Sequence, residues 1–262
     1  MNDEIKSLPP LPASIVRIQE LCMSNETNID ELSRVIGNDP MLSANILKSV
    51  NSPLYGMSKE ISSISQAVML FGISMIRGFA AANAIKKAIA VDVSPYGKSV
   101  DDLSHLSTLQ SALVREWYRN VDKSMLPLLQ SSAFLMELGK LITAKRLDAL
   151  GVSEKFHAEL DEGGSIIELE KLYLGLSSYD CAAMMFEHWN FEPALIEALK
   201  EISNPSTTNS YAQVLNVISK AANLRDPLSE RAMEEAFESI ETYGLKRTAF
   251  EEAIQSLKSN KR

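Results

Sequence analysis

Histidine and cysteine, the residues that hold most protein-bound transition metals, are scarce in this chain. Its 262 residues include three histidines and two cysteines. Cys22 and Cys181 are too few and too far apart for a zinc cluster, and we expect both thiols to be free in a reducing compartment. Metal-dependent hydrolysis needs imidazoles and carboxylates that converge on a cation. The composition therefore argues against a metalloenzyme.

A long apolar run and a secretory leader are also missing. The most apolar stretch, residues 68–76, is interrupted by Gly72 and Ser74, and it is much shorter than the roughly 20 residues that a membrane-spanning helix requires. Asp3 and Glu4 stand where a signal peptide would begin its apolar region. These features predict a cytoplasmic protein that does not cross a membrane.

The common catalytic motifs do not occur either. The sequence has no Gly-x-Ser-x-Gly nucleophile elbow, and its three histidines offer no readable order for a catalytic triad. Neither of the glycine-rich phosphate loops, G-x-x-x-x-G-K-[ST] or G-x-G-x-x-G, is present. Hydrolysis by a serine nucleophile and phosphate binding by such loops are therefore not expected.

Basic residues are outnumbered by acidic ones, with Lys+Arg 26 against Asp+Glu 34 and a net charge of -8. Residues 1–90 carry 8 charges of each sign, so the acidic excess lies C-terminal to them. Nucleic-acid binding relies on Lys and Arg that neutralise phosphates. In the helix-turn-helix-like part, residues 29–50, the only basic residues are Arg34 and Lys48. We therefore expect no nucleic-acid partner.

Apolar residues recur at intervals of three and four, and sustained alternation with a period of two is absent. This spacing is typical of amphipathic helices and predicts an all-α protein. Two examples near the N-terminus are Ile15, Ile18, Leu21 and Cys22, followed by Ile29, Leu32, Val35 and Ile36.

Capping residues punctuate the N-terminal helices. Asn28 with Glu31 three residues later resembles a capping box, and Gly37 is suited to a left-handed helix end. Asp39-Pro40 supplies an N-cap followed by proline at the first helical position. Asn51, just before Ser-Pro, indicates a further helix end. The N-terminal part is therefore predicted to consist of helices joined by tight turns.

The chain is long enough for one large domain or two closely packed lobes. Residues 92–99, which include Pro95 and Gly97, are the best candidate for a linker. We therefore predict an N-terminal helical lobe over residues 1–95 and a second helical lobe over residues 96–262.

An ordered series of short motifs runs from residue 8 to about residue 90. It closely resembles the HDOD family, whose name stands for HD-related output domain, and a weaker match continues to about Pro205. The resemblance implies a two-lobed all-α fold in which the N-terminal lobe packs on a bundle like that of the HD phosphohydrolases. The motifs are Leu8-Pro9-Pro10-Leu11-Pro12, Glu31-Leu32, Ile36, Asp39-Pro40, Leu42, Ile46-Leu47, Asn51-Ser52, Leu54-Tyr55-Gly56, Ile61-Ser62-Ser63-Ile64, Ala67-Val68 and Leu70-Phe71-Gly72.

The resemblance also locates the positions at which an HD enzyme holds its metal ions. Residues 134–141 read like the helix that carries the paired His-Asp ligands, and this chain has Met136 and Glu137 in their place. None of the aligned positions keeps a histidine, and losing the ligands themselves should abolish a metal site. The former site positions implied in this way are Leu106, Met136, Glu137, Ser178, Ile202 and Ser203.

HDOD proteins are bacterial signalling proteins that are generally regarded as non-enzymatic. The resemblance therefore implies a non-catalytic regulatory module that binds no metal or cofactor and acts through contact with an unidentified protein partner. Two alternatives stay open, namely a divergent phosphohydrolase acting on a nucleotide and a nucleotide-sensing domain.

The apolar substitutes Leu106, Met136 and Ile202 are expected to fill the space that a metal site would occupy. A buried charge without a partner would cost several kcal/mol. We therefore expect Glu137 either to face solvent or to pair with Lys140, which lies one helical turn further along the chain.

The remaining candidates have simpler interpretations. We expect His105 at a solvated helix start, His157 without a partner at a helical spacing, and His188 exposed beside a buried Trp189. The methionines could line an adaptable groove for a partner, although most are expected in the core. Those considered are Met23, Met41, Met57, Met69, Met75, Met136, Met184 and Met185.

Overall fold

The computed structural model describes residues 1–23 and 28–260, which form sixteen α-helices and no strand. The prediction of an all-α protein is confirmed. Short 3₁₀ helices cover Pro53–Tyr55, Ser94–Tyr96 and Met136–Leu138. The α-helices are α1 (Asn2–Lys6), α2 (Ala13–Met23), α3 (Ile29–Gly37), α4 (Pro40–Val50), α5 (Ile64–Phe71), α6 (Ile73–Ala88), α7 (Val100–Tyr118), α8 (Leu126–Leu135), α9 (Gly139–Ala149), α10 (Ser153–Asp161), α11 (Ile166–Leu174), α12 (Ser178–His188), α13 (Pro193–Glu201), α14 (Ser210–Ala221), α15 (Glu230–Tyr243) and α16 (Arg247–Asn260).

Both ends of α4 follow the sequence prediction. The carboxylate of Asp39 accepts a hydrogen bond from the Leu42 N–H at 3.0 Å and caps the helix start. At the other end, the Asn51 side chain donates to the carbonyls of Leu47 (2.9 Å) and Ile61 (2.8 Å) and accepts from the Ile61 N–H (2.8 Å). Asn51 keeps a φ of -87°. It therefore ends α4 by bonding the returning chain, and not by turning left-handed.

Two predicted features of α3 are wrong. The Asn28 side chain caps the N–H two residues later at 2.8 Å, but Glu31 does not complete the capping box. Its carboxylate instead pairs with Arg17 of α2 at 2.8 Å, because the two helices pack together. Gly37 remains the last residue of α3, and the following Asn38 is right-handed with a φ of -69°. The glycine is therefore not used for a left-handed end.

Helix α6 is the central helix of the N-terminal half. It is buried on nearly all sides, including Ile76, Phe79 and Ala80, as expected of a helix that is apolar around its circumference. It packs against α2, α4 and α5, and its other side contacts α8. A single helix therefore joins the N-terminal helices to the bundle that follows.

The connection between α6 and α7, predicted as a linker over residues 92–99, is part of the core. Val93, Pro95 and Tyr96 are buried, and the 3₁₀ helix Ser94–Tyr96 packs against α9 and α10. The division at residue 95 is not tested by the structure and stays a prediction.

In the second half, α9 and α12 pack so closely that only glycine fits at one position. A Cβ atom at Gly139 would lie 1.8 Å from the carbonyl oxygen of Ser178. This close approach brings the start of α9 against the start of α12. The side chains on these two helix starts therefore meet inside the protein.

The last two helices fold back over the bundle. Gly244, with a φ of 65°, ends α15, and α16 packs on α7. The Trp117 and Phe250 rings meet edge to face with centroids 4.7 Å apart. A Cβ atom at Gly56 would clash with the Asn260 side chain. The C-terminal helices therefore reach the N-terminal half.

Among the residues that the structure describes, no single helix is long and apolar enough to span a membrane. Helices α5 and α6 reach that length and apolarity only together, and they are bent by 119° at their junction.

Candidate functional site

Glu137 lies in the 3₁₀ helix between α8 and α9 and forms an ion pair with Lys140. The Glu137 Oε2 to Lys140 Nζ distance is 2.7 Å, and each residue is 2 % exposed. Of the two environments expected for Glu137, solvent or a pair with Lys140, the structure shows the pair. A buried pair of this kind is costly to break, because removing one partner leaves the other charged in a dry environment.

Neighbouring helices complete the polar surroundings of this pair. Gln110 of α7 donates to Glu137 Oε1 at 2.8 Å, and the same amide donates to the Ala222 carbonyl at 2.8 Å. Lys140 donates to the Ser178 hydroxyl at 3.1 Å. Its Nζ also lies 5.0 Å from the centre of the Tyr179 ring. The pair is therefore held by α7 and α12 as well as by its own helix.

A second buried carboxylate, that of Glu170 in α11, also bonds Ser178. It accepts hydrogen bonds from the Tyr96 hydroxyl at 2.7 Å and from the Ser178 N–H at 2.6 Å. Burial raises the pKa of Glu170, although Lys140 and these hydrogen bonds favour its charged form. Glu170 is therefore shifted toward its neutral state beside the ion pair.

The Lys140 ammonium stays protonated in this cluster. Burial by itself would lower the pKa of Lys140, but attraction to Glu137, supported by Tyr179 and Glu170, outweighs burial and raises that pKa. The cluster therefore contains a positive charge that the chain itself supplies and that is paired with the Glu137 carboxylate.

A cavity of about 250 Å³ opens beside the ion pair. Glu137, Lys140 and Tyr179 form its buried end, and the start of α11 forms one wall. The opposite wall comes from residues 219–226 and 231–235, which include the end of α14 and the first turns of α15. The cavity can therefore admit a small molecule to the buried charges.

The structure divides the predicted former-site residues into two groups. Leu106, Met136 and Ile202 are buried, at 3 %, 0 % and 0 % exposed, and none of them lines the cavity. Glu137 and Ser178 instead meet around Lys140. The burial of Leu106, Met136 and Ile202 agrees with the expectation that apolar side chains fill the interior at these positions.

The remaining position, Ser203, is half-buried just beyond α13. Its hydroxyl donates to the Ser177 hydroxyl at 3.4 Å. Ser177 caps α12 through a capping box with Asp180. Ser203 therefore supports the start of α12 and does not contact the ion pair.

Sequence reasoning missed Gln110, Glu170, Tyr96 and Tyr179. For Glu170 a signal exists, because it lies four residues after Ile166 and three before Tyr173, on the apolar face of α11. A charged residue on such a face indicates a buried partner. Gln110 and the tyrosines carry no comparable local signal.

The histidines lie apart from this cluster. His105 and His188 are exposed and Trp189 is buried, as predicted. His157 does have a partner at a helical spacing, contrary to expectation, since its Nε2 lies 3.5 Å from a carboxylate oxygen of Asp161. Within residues 1–23 and 28–260, no group of three or more His, Cys, Asp or Glu side chains is placed to hold a metal ion.

The methionines are divided between the core and the surface. Met41 and Met69 are exposed, whereas Met75 and Met185 are buried. Met57 and Met184 pack partly buried against the core. The side chain of Met23 lies outside the described residues, so the groove hypothesis rests on the exposed pair.

The sequence matches the model of a known protein family. The HDOD domain model matches residues 8–205, about three quarters of the chain. The chain belongs to the HDOD family. The resemblance inferred from the N-terminal motifs is thereby confirmed, and the match ends before α14.

Solved structures of similar fold agree with this assignment. A protein of Shewanella amazonensis SB2B named "Putative phosphohydrolase" has a TM-score of 0.76 and 20 % identity, covering 98 % of this chain and 93 % of its own. An HDOD domain protein with unknown function from Geobacter sulfurreducens has a TM-score of 0.70 and 17 % identity, covering 98 % and 91 %. At these identities the likeness establishes the fold, including its HD-phosphohydrolase-like bundle.

A curated relative matches only a short part of the chain. It is an uncharacterized protein of Treponema pallidum (strain Nichols), 32 % identical over 71 residues. The match covers 27 % of this chain and 14 % of that protein. The match therefore spans only a small part of that relative's length.

Proposed function

We propose that this HDOD chain is a regulatory module that acts by binding another protein and does not hydrolyse phosphate esters. The observation that carries the proposal is the ion pair of Glu137 with Lys140, 2.7 Å long and buried. An HD enzyme would place a divalent cation beside the carboxylate at this position. Here an ammonium group of the same chain supplies the positive charge.

A metal ion would have to displace this ammonium, and the surroundings oppose that exchange. Lys140 is held by Ser178 as well as by Glu137, and its raised pKa keeps it protonated at neutral pH. Expelling it into the neighbouring core would leave a buried charge without a partner, at a cost of several kcal/mol. Catalysis by a bound metal is therefore disfavoured at this position.

The exposed apolar residues support a protein-contact role for the N-terminal half. Five of the seven large apolar side chains that are exposed in the described residues precede residue 95, and Met41 and Met69 are 69 % and 68 % exposed. Scattered apolar residues are ordinary on a surface, but a bias toward one half favours a contact there. Flexible methionines suit such a contact because they adapt to a partner's shape. These five residues are Val16, Ile29, Met41, Met69 and Leu70.

The first test concerns metal and hydrolysis. Protein purified without a metal-affinity resin should contain no stoichiometric zinc, iron or manganese by elemental analysis. The Met136→His/Glu137→Asp variant, which restores the HD pair, should lower the melting temperature and hydrolyse no phosphodiester, because Lys140 still occupies the site. One equivalent of metal in the wild type, or turnover by the variant, would refute the non-catalytic proposal.

The second test concerns the contact surface. Tagged wild type is expected to capture a specific protein from its native cell, and Met41→Lys/Met69→Lys should lose that protein while melting like the wild type. The matched control is Leu172→Lys, since Leu172 is 72 % exposed on α11. Equal capture by all three proteins would place the contact elsewhere, and the absence of any specific protein would count against a contact function.

A further inference from the structure

We infer that the cavity beside Lys140 binds a small multivalent anion carrying phosphate or carboxylate groups. It would do so between the HDOD-matched part of the chain and the C-terminal helices. The inference goes beyond the proposed function and does not depend on it, because it concerns the purified chain without any protein partner.

The size and placement of the cavity suit such a ligand. A dry cavity of about 150 Å³ can hold a benzene ring, so the observed volume of about 250 Å³ accommodates a small organic molecule. One wall belongs to the start of α11 and the other to residues 219–235, beyond the family match. A ligand there would touch both parts of the chain.

The charge of the lining favours an anion. The chain has a net charge of -8, yet the cavity is lined by four basic side chains, Lys140, Lys220, Arg225 and Arg231, against three acidic ones, Glu137, Asp226 and Glu235. Lys140 and Arg231 are paired with Glu137 and Glu235 respectively.

The other two basic side chains have no acidic partner. Lys220 donates to the Ser239 hydroxyl at 2.7 Å, and Arg225 donates to the Gly164 carbonyl at 3.3 Å. Neither forms an ion pair with any residue in the described ranges 1–23 and 28–260. The lining therefore has two cations without an ion-pair partner against one such carboxylate, Asp226, and this excess positive charge is left for a ligand to neutralise.

The start of α11 adds hydrogen-bond donors at the same place. Arg225 is bonded to Gly164, directly before the helix. Ser165 caps the Glu168 N–H, and the N–H groups of Ile166 and Ile167, in the first turn, have no acceptor within the helix. Such groups and the helix dipole favour an anion. The guanidinium of Arg225 can form paired bonds with phosphate or carboxylate oxygens.

The test is a titration of the full chain with pyrophosphate and, separately, with citrate, followed by calorimetry and by NMR of the Ile166 and Ile167 amides. The variant Lys220→Gln/Arg225→Gln removes the two unpaired cations. The matched control, Lys145→Gln/Lys171→Gln, removes two exposed cations that do not line the cavity.

At least one of the two anions should bind the wild type and shift the resonances of Ile166 and Ile167. Affinity should fall about tenfold or more in the cavity variant, which corresponds to about 1.4 kcal/mol, and stay within about twofold in the control. Tighter binding of pyrophosphate or of citrate identifies phosphate or carboxylate as the preferred group. Absence of binding at about 10 mM of either anion, or an equal loss in both variants, overturns the inference.

Discussion

Lys140 is held by one residue close to it in sequence and by one that is distant, and its energetic role follows from their identities. Glu137 neutralises it from one helical turn away, and the Ser178 hydroxyl of α12 accepts a hydrogen bond from its ammonium group. In a buried pair the desolvation cost and the Coulombic gain nearly cancel, so the pair as a whole contributes little net stability. Loss of one member leaves the other charge buried without its counterion.

We therefore expect Lys140→Met to lower the free energy of unfolding by about 3 to 5 kcal/mol. Lys140→Met/Glu137→Gln should regain most of that loss, because the glutamine oxygen can still accept from Gln110 without carrying a charge. Urea denaturation of the wild type and both variants measures the difference. If the double variant were as unstable as the single one, the loss of stability would not come from the unpaired charge of Glu137, and this explanation would be wrong.

At the scale of elements, several helices begin with the same kind of side-chain cap. Asp39, Ser63, Ser99, Ser165 and Ser177 each precede a helix and accept a hydrogen bond from a first-turn N–H. The first four N–H groups of a helix have no partner within it, so each such side chain satisfies one of them. The cap at Asp39 was predictable because it depends only on residues within one turn.

Replacement of that cap should affect stability and not recognition. Asp39→Ala is expected to lower the free energy of unfolding by about 0.5 to 2 kcal/mol, since the Leu42 N–H loses its acceptor. Thermal melting of the variant, together with partner capture at a permissive temperature, provides the measurement. A variant that melts like the wild type but no longer captures the partner would make Asp39 a contact residue.

For the whole molecule, the helices beyond residue 205 complete the HDOD part and are not an appendage. Helix α14 is buried along most of its length and packs against α7, α8 and α13. Asn216 donates to the Ile202 carbonyl at 2.7 Å. Phe250 covers Trp117. Together these helices pack on α7 and form one wall of the cavity.

A fragment of residues 1–205 should therefore fail to fold cooperatively, because Trp117 and the apolar surfaces of α7 and α8 would be exposed to water. A fragment of residues 1–260, which keeps all sixteen helices, is the control and should melt like the full chain. Circular dichroism and gel filtration of both fragments measure this. A monomeric 1–205 fragment with a sharp melting transition would contradict an integral role for the last helices.

The sequence by itself determined the helical character, the cap of α4 and the family. These depend on periodicity and on side chains within about four residues, or on an ordered series of motifs. It also narrowed Glu137 to two environments, with Lys140 as a named partner. Local spacing was misleading where another helix competed for a side chain, as Arg17 does for Glu31.

Only the tertiary structure decided what surrounds Lys140. Gln110 reaches Glu137 across 27 residues of sequence and Ala222 across 112, and Tyr96 reaches Glu170 across 74. Such contacts arise from the packing of whole helices, including the close approach of α9 and α12 at Gly139. No interval in the sequence encodes them. The cavity has the same origin, because its two walls are separate segments that meet only when the C-terminal helices fold back.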